Sequence, residues 1–440
     1  MRAGRPRFID DRDRGRLARA AGLGWFAVLC CLGCIQVTAA AEPYLRLRET
    51  TLGYHGAAAD FENLTEIRIG WFGPSDPEGP LTGDLWWAAT QAAADAKGPL
   101  PVRLIPRWSV DPWGTGVSQL TRMVYEEQPL ALIGSVDSTT THLAEQVVAK
   151  AQLPLVSPIA TDPSVTLAGV SWMFSCAPSD VAVAEALAQS ILEELGEGAA
   201  RRWALVAATD HETRMTSREV VRAFSRRGRL PDFRFDVAAV GLDHASQLSA
   251  LAAAKPDVVL VLAGAVDSGR LVRGVSATLP GAVIYAGPAA GRAAFLPAAG
   301  EAAAGVRYPR LADDTPTAPE TAAFTARFLR ARGRAPDFAA LLTYDATRLL
   351  IAAIHHAGPN RARIREALRA LSPWSGLAGE VRFDGTGQNV RGGLPIVVIE
   401  SPAAVSMDRG RPARSFEPAP ASPDGVASSH AKAGEPPAVQ

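Results

Sequence analysis

The sequence predicts an α/β protein with two doubly wound lobes. Short apolar runs alternate with amphipathic stretches along most of the chain, a pattern typical of β-α units around a mostly parallel sheet. The alternation forms two series of similar length, each complete enough for its own lobe, which argues against one large sheet. A chain of 440 residues with 48% hydrophobic residues is also long enough for two cores.

The first series predicts four strands and three helices in alternation. The strands cover Ile67 to Phe72, Val102 to Ile105, Leu130 to Ile133 and Pro154 to Val156. The helices cover Gly83 to Lys97, Val117 to Glu127 and Thr140 to Ala151. Each apolar run is of strand length, and each helix has apolar residues on one face.

The second series begins with a helix over Asp180 to Leu195. Its strands cover Trp203 to Ala207, Phe233 to Val237, Val258 to Leu262 and Ala282 to Tyr285. Its other helices cover Thr216 to Arg226, Ala245 to Ala254 and Ser268 to Ala277. A third block predicts helices over Glu320 to Arg332, Phe338 to His356 and Arg361 to Leu371, then strands over Val381 to Phe383 and Ile396 to Ile399.

The late elements must pack on lobes that are already built, so we expect Rossmann-like lobes joined by crossover strands. The first lobe is predicted from residues 67–176 and 305–373, and the second from residues 177–304 and 374–400. Residues 42–66 are polar and aperiodic and predict an extended lead-in. The tail over residues 401–440 is rich in Pro, Ala, Ser and Gly, a composition that predicts disorder.

Residues 1–41 predict a signal peptide. Three arginines, Arg14, Arg16 and Arg19, precede an apolar run over residues 23–35, which is shorter than the roughly 20 residues a spanning helix needs. Small residues then form a cleavage site that ends at Ala41. We therefore expect an exported protein, located in the periplasm or otherwise outside the cytoplasm.

A lipoprotein acylated at Cys34 is the less favoured alternative. The residue three positions before that cysteine should be aliphatic, and here it is Cys31.

Charge and motifs exclude several classes of function. The 45 basic and 45 acidic residues give no net charge, so the electrostatic footprint of a nucleic-acid-binding protein is missing. The sequence has no G-x-S-x-G elbow, Walker loop, H-E-x-x-H motif or Cys/His metal spacing. We therefore predict a protein that is not an enzyme and holds no cofactor or metal. We also expect it to be a monomer.

The most informative segment is the hydroxyl run from Ser138 to Thr141, which includes Thr139 and follows Asp137. It leaves a predicted strand and enters a helix. Ligands of open α/β sheets bind beyond the carboxyl ends of strands, where a helix N-terminus offers free backbone N–H groups. One hydroxyl is enough for an N-cap; four in succession favour a contact with a carboxylate ligand over capping alone.

A second turn, over residues 156–163, carries Ile159 and Thr161 and follows the next strand, so it should lie beside the first. The other half of the site is expected from strand ends of the second lobe. The candidates there are Asp210, Glu212, Asp267 and Ala289.

The order of these pieces resembles the type I periplasmic binding proteins of ABC importers, specifically the leucine/isoleucine/valine-binding family. The resemblance covers Ile67 to Ile399 and rests on short motifs in a fixed order. These are the opening Ile67-Arg68-Ile69-Gly70 with Pro74 to Gly83, Ile133-Gly134 with the hydroxyl run, Pro154-Leu155-Val156-Ser157-Pro158, Gly287-Pro288, Thr343-Tyr344-Asp345-Ala346 and Gly376-Leu377-Ala378-Gly379-Glu380-Val381-Arg382-Phe383-Asp384.

The resemblance implies that Ser138, Thr139, Thr161 and the carbonyl of Ile159 hold the α-carboxylate and α-amino group of a ligand. It also implies an acid after the Gly-Pro pair of the second lobe, where this chain has Ala289 instead. Candidate replacements for that acid are Asp137, Glu212 and Asp267.

As a member of this family the chain would capture a small ligand, namely an amino acid, a small organic acid or an amide, by hinge closure between the lobes. Its second partner would be an ABC permease in the membrane. Two alternatives remain open at this point: a ligand-sensing receptor or regulatory subunit with the same fold, and an α/β enzyme.

Overall fold

A computed structural model describes residues 61–400, except residue 62 and residues 80–81, 168–169, 197–199, 239–243 and 314–317. The predicted signal peptide over 1–41, with Cys34, lies outside the described residues. So do the lead-in as far as residue 60 and the tail over 401–440.

The first half of the chain alternates strands and helices as predicted, and it adds a fourth helix and a fifth strand at the end of the series. Its elements are β1 Ile67–Phe72, α1 Gly83–Ala94, β2 Val102–Arg107, α2 Val117–Arg122, β3 Ala131–Gly134, α3 Ser138–Ala151, β4 Leu155–Ser157, α4 Ser164–Leu167 and β5 Met173–Pro178. Two π-helical turns flank α2, Pro112–Gly116 before it and Met123–Glu127 after it.

The second series follows the same alternation. Its elements are α5 Asp180–Leu195, β6 Trp203–Ala208, α6 His211–Arg226, β7 Phe233–Val237, α7 Ala245–Ala254, β8 Val258–Leu262, α8 Ala265–Thr278, β9 Val283–Ala286, α9 Phe295–Ala299 and β10 Arg307–Pro309. Short 3₁₀ turns cover Pro288–Gly291 and Gly300–Ala303.

The last block is helical and then extended. Its elements are α10 Pro319–Arg332, α11 Phe338–Ala357, α12 Arg361–Ala370, β11 Trp374–Gly376, β12 Gly379–Val381, β13 Gln388–Asn389 and β14 Ile396–Val398.

Two six-stranded sheets form the centres of two lobes. The first has the order β13-β5-β4-β3-β1-β2 and the second the order β14-β10-β9-β8-β6-β7. The pairs within each sheet are parallel, apart from the antiparallel pairing of β10 with β14. The prediction of two doubly wound α/β lobes is confirmed. Burial of the central strands β6 and β8 on both faces explains why they appear in the sequence as continuous apolar runs.

Each sheet has a hydrophobic core on both faces. In the first lobe, α11 packs in the larger core with Phe324 and Phe328, while Phe72 and Leu132 face the opposite core. Of the described helices, α11 alone is long and apolar enough to cross a membrane by length and composition, and 72% of its most apolar stretch is buried within the protein.

The assignment of late segments to lobes differs from the prediction in two places. Residues 305–373 were expected in the first lobe, but β10 pairs with β9 in the second sheet. Residues 374–400 were expected in the second lobe, but β13 pairs with β5 in the first sheet, and Val381 packs in the first core. Strands of two or three residues carry too little periodicity to show which sheet they join.

The chain therefore passes between the described parts of the lobes three times. The first passage follows β5, the second lies between Leu311 of one core and Ala312 of the other, and the third lies between β13 and β14. These passages bring the carboxyl ends of both sheets toward each other.

Candidate functional site

The hydroxyl run lies at the carboxyl edge of the first sheet, where α3 begins. Asp137 is the N-cap of this helix, and its Oδ1 accepts hydrogen bonds from the backbone N–H of Thr140, at 2.7 Å, and from the Thr140 hydroxyl. The Thr141 hydroxyl donates to the carbonyl of Asp137 at 2.6 Å and accepts from the Ser135 N–H at 3.0 Å. Thr140 and Thr141 therefore build the helix start, the capping role that the sequence interpretation weighed as the alternative.

Ser138 connects the two predicted loops of the first lobe. Its hydroxyl oxygen accepts hydrogen bonds from the N–H groups of Thr161 and Asp162, at 3.2 and 3.3 Å. The loops are thus neighbours, and the Ser138 side chain, which is buried, holds them together.

Thr139 faces the second lobe. The carboxylate of Glu212, in the first turn of α6, accepts hydrogen bonds from the Thr139 N–H and the Thr139 hydroxyl, both at 2.7 Å, and from the Ser138 N–H at 3.2 Å. The start of α3 and the start of α6 therefore meet across the space between the sheets.

A buried acid lies next to this junction. Asp180, 2% exposed, begins α5 and its N–H donates to the carbonyl of Thr161 at 2.7 Å. Its carboxylate accepts a hydrogen bond from the Thr161 side chain and another, at 3.0 Å, from the Thr216 hydroxyl of α6. Burial, together with the negative charges of Asp162 and Glu212, raises the pKa of Asp180 to about 7.

A histidine–carboxylate cluster supports the second loop. His142 lies 3.3 Å from Asp162 and 3.2 Å from Glu145, measured from ring nitrogen to carboxylate oxygen, and the Ser164 hydroxyl is 3.0 Å from its Nε2. These hydrogen bonds raise the pKa of His142 to about 9. Burial acts to raise the pKa of Asp162, but the hydrogen bonds from His142 and Ser164 lower it to about 2.

The histidine cluster predicts a pH-dependent contribution to stability. The folded-state pKa of His142 lies above its ordinary value of 6.5, so its stabilising effect is complete below pH 6.5 and is lost as the pH rises through about 9. The difference in unfolding free energy between the native protein and His142→Gln should therefore shrink over this interval, measured by urea denaturation at several pH values. The surface variant His356→Gln is the control, and a difference that does not change with pH would contradict the assignment.

The other predicted site residues have varied positions. Ile159 is half-buried and packs against the first core. Asp210 is the N-cap of α6 and accepts from the Thr213 N–H at 3.0 Å. Asp267 lies in the first turn of α8, 3.5 Å from Arg270, and Ala289 lies in a 3₁₀ turn after β9.

Two features of the candidate site were missed from the sequence. Asp180 was predicted only as the first residue of a helix. Because that helix directly follows a buried strand, an acid at its start lies at the edge of the sheet, and this is the signal that could have identified it. The pairing of His142 with Asp162 could not be inferred, because His142 lies on α3 and Asp162 lies in the turn after β4. Within the described parts of the chain, no group of three His, Cys, Asp or Glu residues could hold a metal ion.

The structure has two doubly wound lobes that meet at the carboxyl edges of their sheets, and the chain crosses between the lobes beside this junction. This architecture is that of a two-lobed binding protein of type I. The chain belongs to the periplasmic binding protein family, whose profile matches residues 66–403. The resemblance to the type I periplasmic binding proteins stated above is confirmed.

Solved structures similar to this chain include binding proteins for branched-chain amino acids. The leucine-binding protein LivK of Thermotoga maritima is 20% identical with a TM-score of 0.66, covering 77% of this chain and 99% of its own. LivJ of Streptococcus pneumoniae, solved in complex with isoleucine, is 18% identical with a TM-score of 0.65, covering 76% and 96%.

A solute-binding protein of an ABC transporter from R. palustris, solved in complex with benzoate, is 17% identical with a TM-score of 0.61 and covers 76% of this chain and 98% of its own. A search of curated proteins found no match to this chain.

Proposed function

We propose that this chain is an extracytoplasmic solute-binding protein that captures a small polar ligand between its lobes and delivers it to an ABC importer. The observation that carries the proposal is the junction of α3 with α6, where the N–H groups of Ser138 and Thr139 point across the cleft at a carboxylate. These backbone N–H groups lie at the carboxyl edge of the first sheet and face the other lobe. Hydrogen-bond donors in this position suit a ligand that is enclosed when the lobes close.

The mechanism is a shift between open and closed forms. A ligand bound to one lobe gains contacts with the other lobe only in the closed form, so it increases the population of that form. The importer's permease would recognise the closed shape. The predicted signal peptide over 1–41 and the family membership support a location in the periplasm, and the family and its solved relatives support a binding role without catalysis.

The ligand class is an amino acid, a small organic acid or an amide. Relatives with this fold hold isoleucine or benzoate, which are both carboxylates of this size. In this chain Ser138, Thr139, Ile159 and Thr161 are the proposed contacts on the first lobe. Asp137 caps its own helix through Thr140, so Glu212, which faces Ser138 and Thr139 across the cleft, and Asp180, which contacts Thr161, are the proposed acids of the site.

Leucine is expected to bind weakly. Ala289 stands where the resemblance implies an acid for the ligand ammonium, and an unpaired buried charge costs about 3 to 5 kcal/mol, which is roughly two to four orders of magnitude in affinity. Calorimetric titration of the purified mature protein with leucine should therefore show no stoichiometric binding at micromolar concentration. Tight one-to-one leucine binding would show that another acid replaces the lost one.

A thermal-shift screen tests the proposed function itself. A ligand present at 100 times its Kd adds about 2.7 kcal/mol of stability, which moves the melting temperature by several degrees. The screen should include amino acids, their amides, and aliphatic and aromatic acids. A shift with any of them supports solute binding, and a complete absence of shifts contradicts it.

A further inference from the structure

We propose that Glu212 is a specificity-determining residue: it occupies the carboxylate subsite of the first lobe and latches the two lobes together without a ligand. The inference rests on the proposed function, since it concerns the same cleft. It adds that a carboxylate ligand has to displace a side chain of the protein itself.

The hydrogen-bond donors at the start of α3, which form this subsite, already have acceptors within the protein. The first N–H groups of a helix have no partner within the helix. Here the Thr140 N–H is taken by the N-cap Asp137, while the Ser138 and Thr139 N–H groups and the Thr139 hydroxyl are taken by Glu212. An incoming carboxylate would need the same three donors.

Glu212 belongs to the other lobe and is held there. Its helix, α6, is capped by Asp210, and one turn along, the Thr216 hydroxyl donates to both Asp180 and the carbonyl of Glu212, at 3.0 and 3.3 Å. The hydrogen bonds between Glu212 and Thr139 therefore connect the two lobes, because α6 belongs to the second lobe and α3 belongs to the first. A carboxylate at the positive end of α3 also has a favourable interaction with the helix dipole.

The surrounding charges act against a second carboxylate. Asp137 and Asp180 both have raised pKa values, caused mainly by burial, and the negative charge of Glu212 adds to each shift. A carboxylate that entered beside Glu212 would increase this repulsion. A tethered group competes at an effective concentration in the millimolar range, so free monocarboxylates should bind weakly to the native protein.

Amide hydrogen exchange tests the latch in the absence of any ligand. In the full-length protein, Glu212→Ala and Glu212→Gln should increase the exchange rates of the Ser138 and Thr139 amides by about ten- to a hundredfold, the range expected on loss of a charged acceptor. The Thr140 amide, capped by Asp137, is the internal control, and Glu193→Gln, an exposed acid on α5, is the matched variant. Unchanged exchange at Ser138 and Thr139 in both Glu212 variants would overturn the proposal.

Calorimetric titration with acetate and benzoate tests the specificity. Glu212→Ala should bind at least one of them about tenfold or more tightly than the native protein does, and Glu193→Gln should match the native protein. Equal affinities in the native protein and both Glu212 variants would overturn the role in specificity. Failure of the proposed function is distinguishable, because in that case no compound of the thermal-shift screen stabilises the native protein, whereas the hydrogen-exchange result does not depend on any ligand.

Discussion

Replacing Asp345 with Ala is expected to lower the free energy of unfolding by about 3 to 5 kcal/mol, because two buried N–H groups would lose their acceptor. Asp345 lies on α11 and is 2% exposed. Its two carboxylate oxygens accept from the N–H groups of Leu377 and Ala378, both at 2.7 Å, in the turn that connects β11 and β12. The carboxylate thus fixes the late hairpin to the core of the first lobe.

The turn is shaped around this carboxylate. A Cβ atom on Gly376 would lie 2.3 Å from the Asp345 carboxyl group, so only glycine leaves room for it. Leu377, Ala378 and Val381 complete the core beneath the hairpin. Loss of the acceptor should therefore loosen packing as well as hydrogen bonding.

Urea denaturation at constant pH measures the effect. Asp345→Asn keeps one acceptor oxygen and places an NH₂ group against the second N–H, so its loss of stability should lie between those of the native protein and the alanine variant. The control is Glu380→Ala in the same hairpin, an exposed side chain whose removal should change stability by less than about 0.5 kcal/mol. Equal stabilities of the native protein and Asp345→Ala would contradict the role of the hydrogen bonds.

Much of the fold could be predicted because the central strands are buried on both faces. Ile67–Phe72, Trp203–Ala208 and Val258–Leu262 appear as apolar runs of strand length, and local sequence is sufficient to recognise them. β5 was missed, because Met173–Pro178 mixes a serine, a cysteine and a proline with its apolar residues. The lobe assignments of β10 and β13 depend on pairing with distant strands, which no local pattern encodes.

The sequence predicted which loops form the candidate site, but it did not predict the contacts between their side chains. Ser138 and Thr161 were predicted to lie near each other because consecutive strands of a parallel sheet end at the same edge. In the structure the backbone nitrogen of Thr161 lies 3.2 Å from the hydroxyl oxygen of Ser138. The position of Glu212 could not be predicted in this way. It depends on how two separate lobes approach each other, and sequence order contains little information about that distance.

Protonation of Asp180 is expected to make the protein more stable at low pH, because the folded-state pKa, about 7, lies above the ordinary value of 3.8. Below about pH 4 the carboxyl group is protonated in both states. Between pH 4 and 7 it is ionised only in the unfolded state, so the unfolding free energy falls as the pH rises. Above pH 7 it is ionised in both states, and the dependence ends.

The difference between a folded-state pKa of about 7 and the ordinary value of 3.8 corresponds to roughly 4 kcal/mol, which is the largest contribution that this one group can make. Burial also raises the pKa of Asp345, so the pH dependence of the native protein's unfolding free energy should contain both contributions. Asp180→Asn isolates the first contribution. The asparagine is a neutral mimic that can keep its hydrogen bonds with Thr161 and Thr216, so at pH 8 the variant should be more stable than the native protein by about 2 to 4 kcal/mol.

The measurement is the difference in unfolding free energy between Asp180→Asn and the native protein, determined by urea denaturation from pH 4 to pH 8. The difference should be near zero or slightly unfavourable at pH 4 and should grow up to pH 7, while the exposed control Asp236→Asn shows no such trend. Because Asp180 accepts hydrogen bonds from both lobes, its ionisation also places a negative charge beside Glu212 at the junction. A difference that stays constant with pH would show that Asp180 is ionised in the folded protein throughout this range, and that its charge is stabilised by the two threonines.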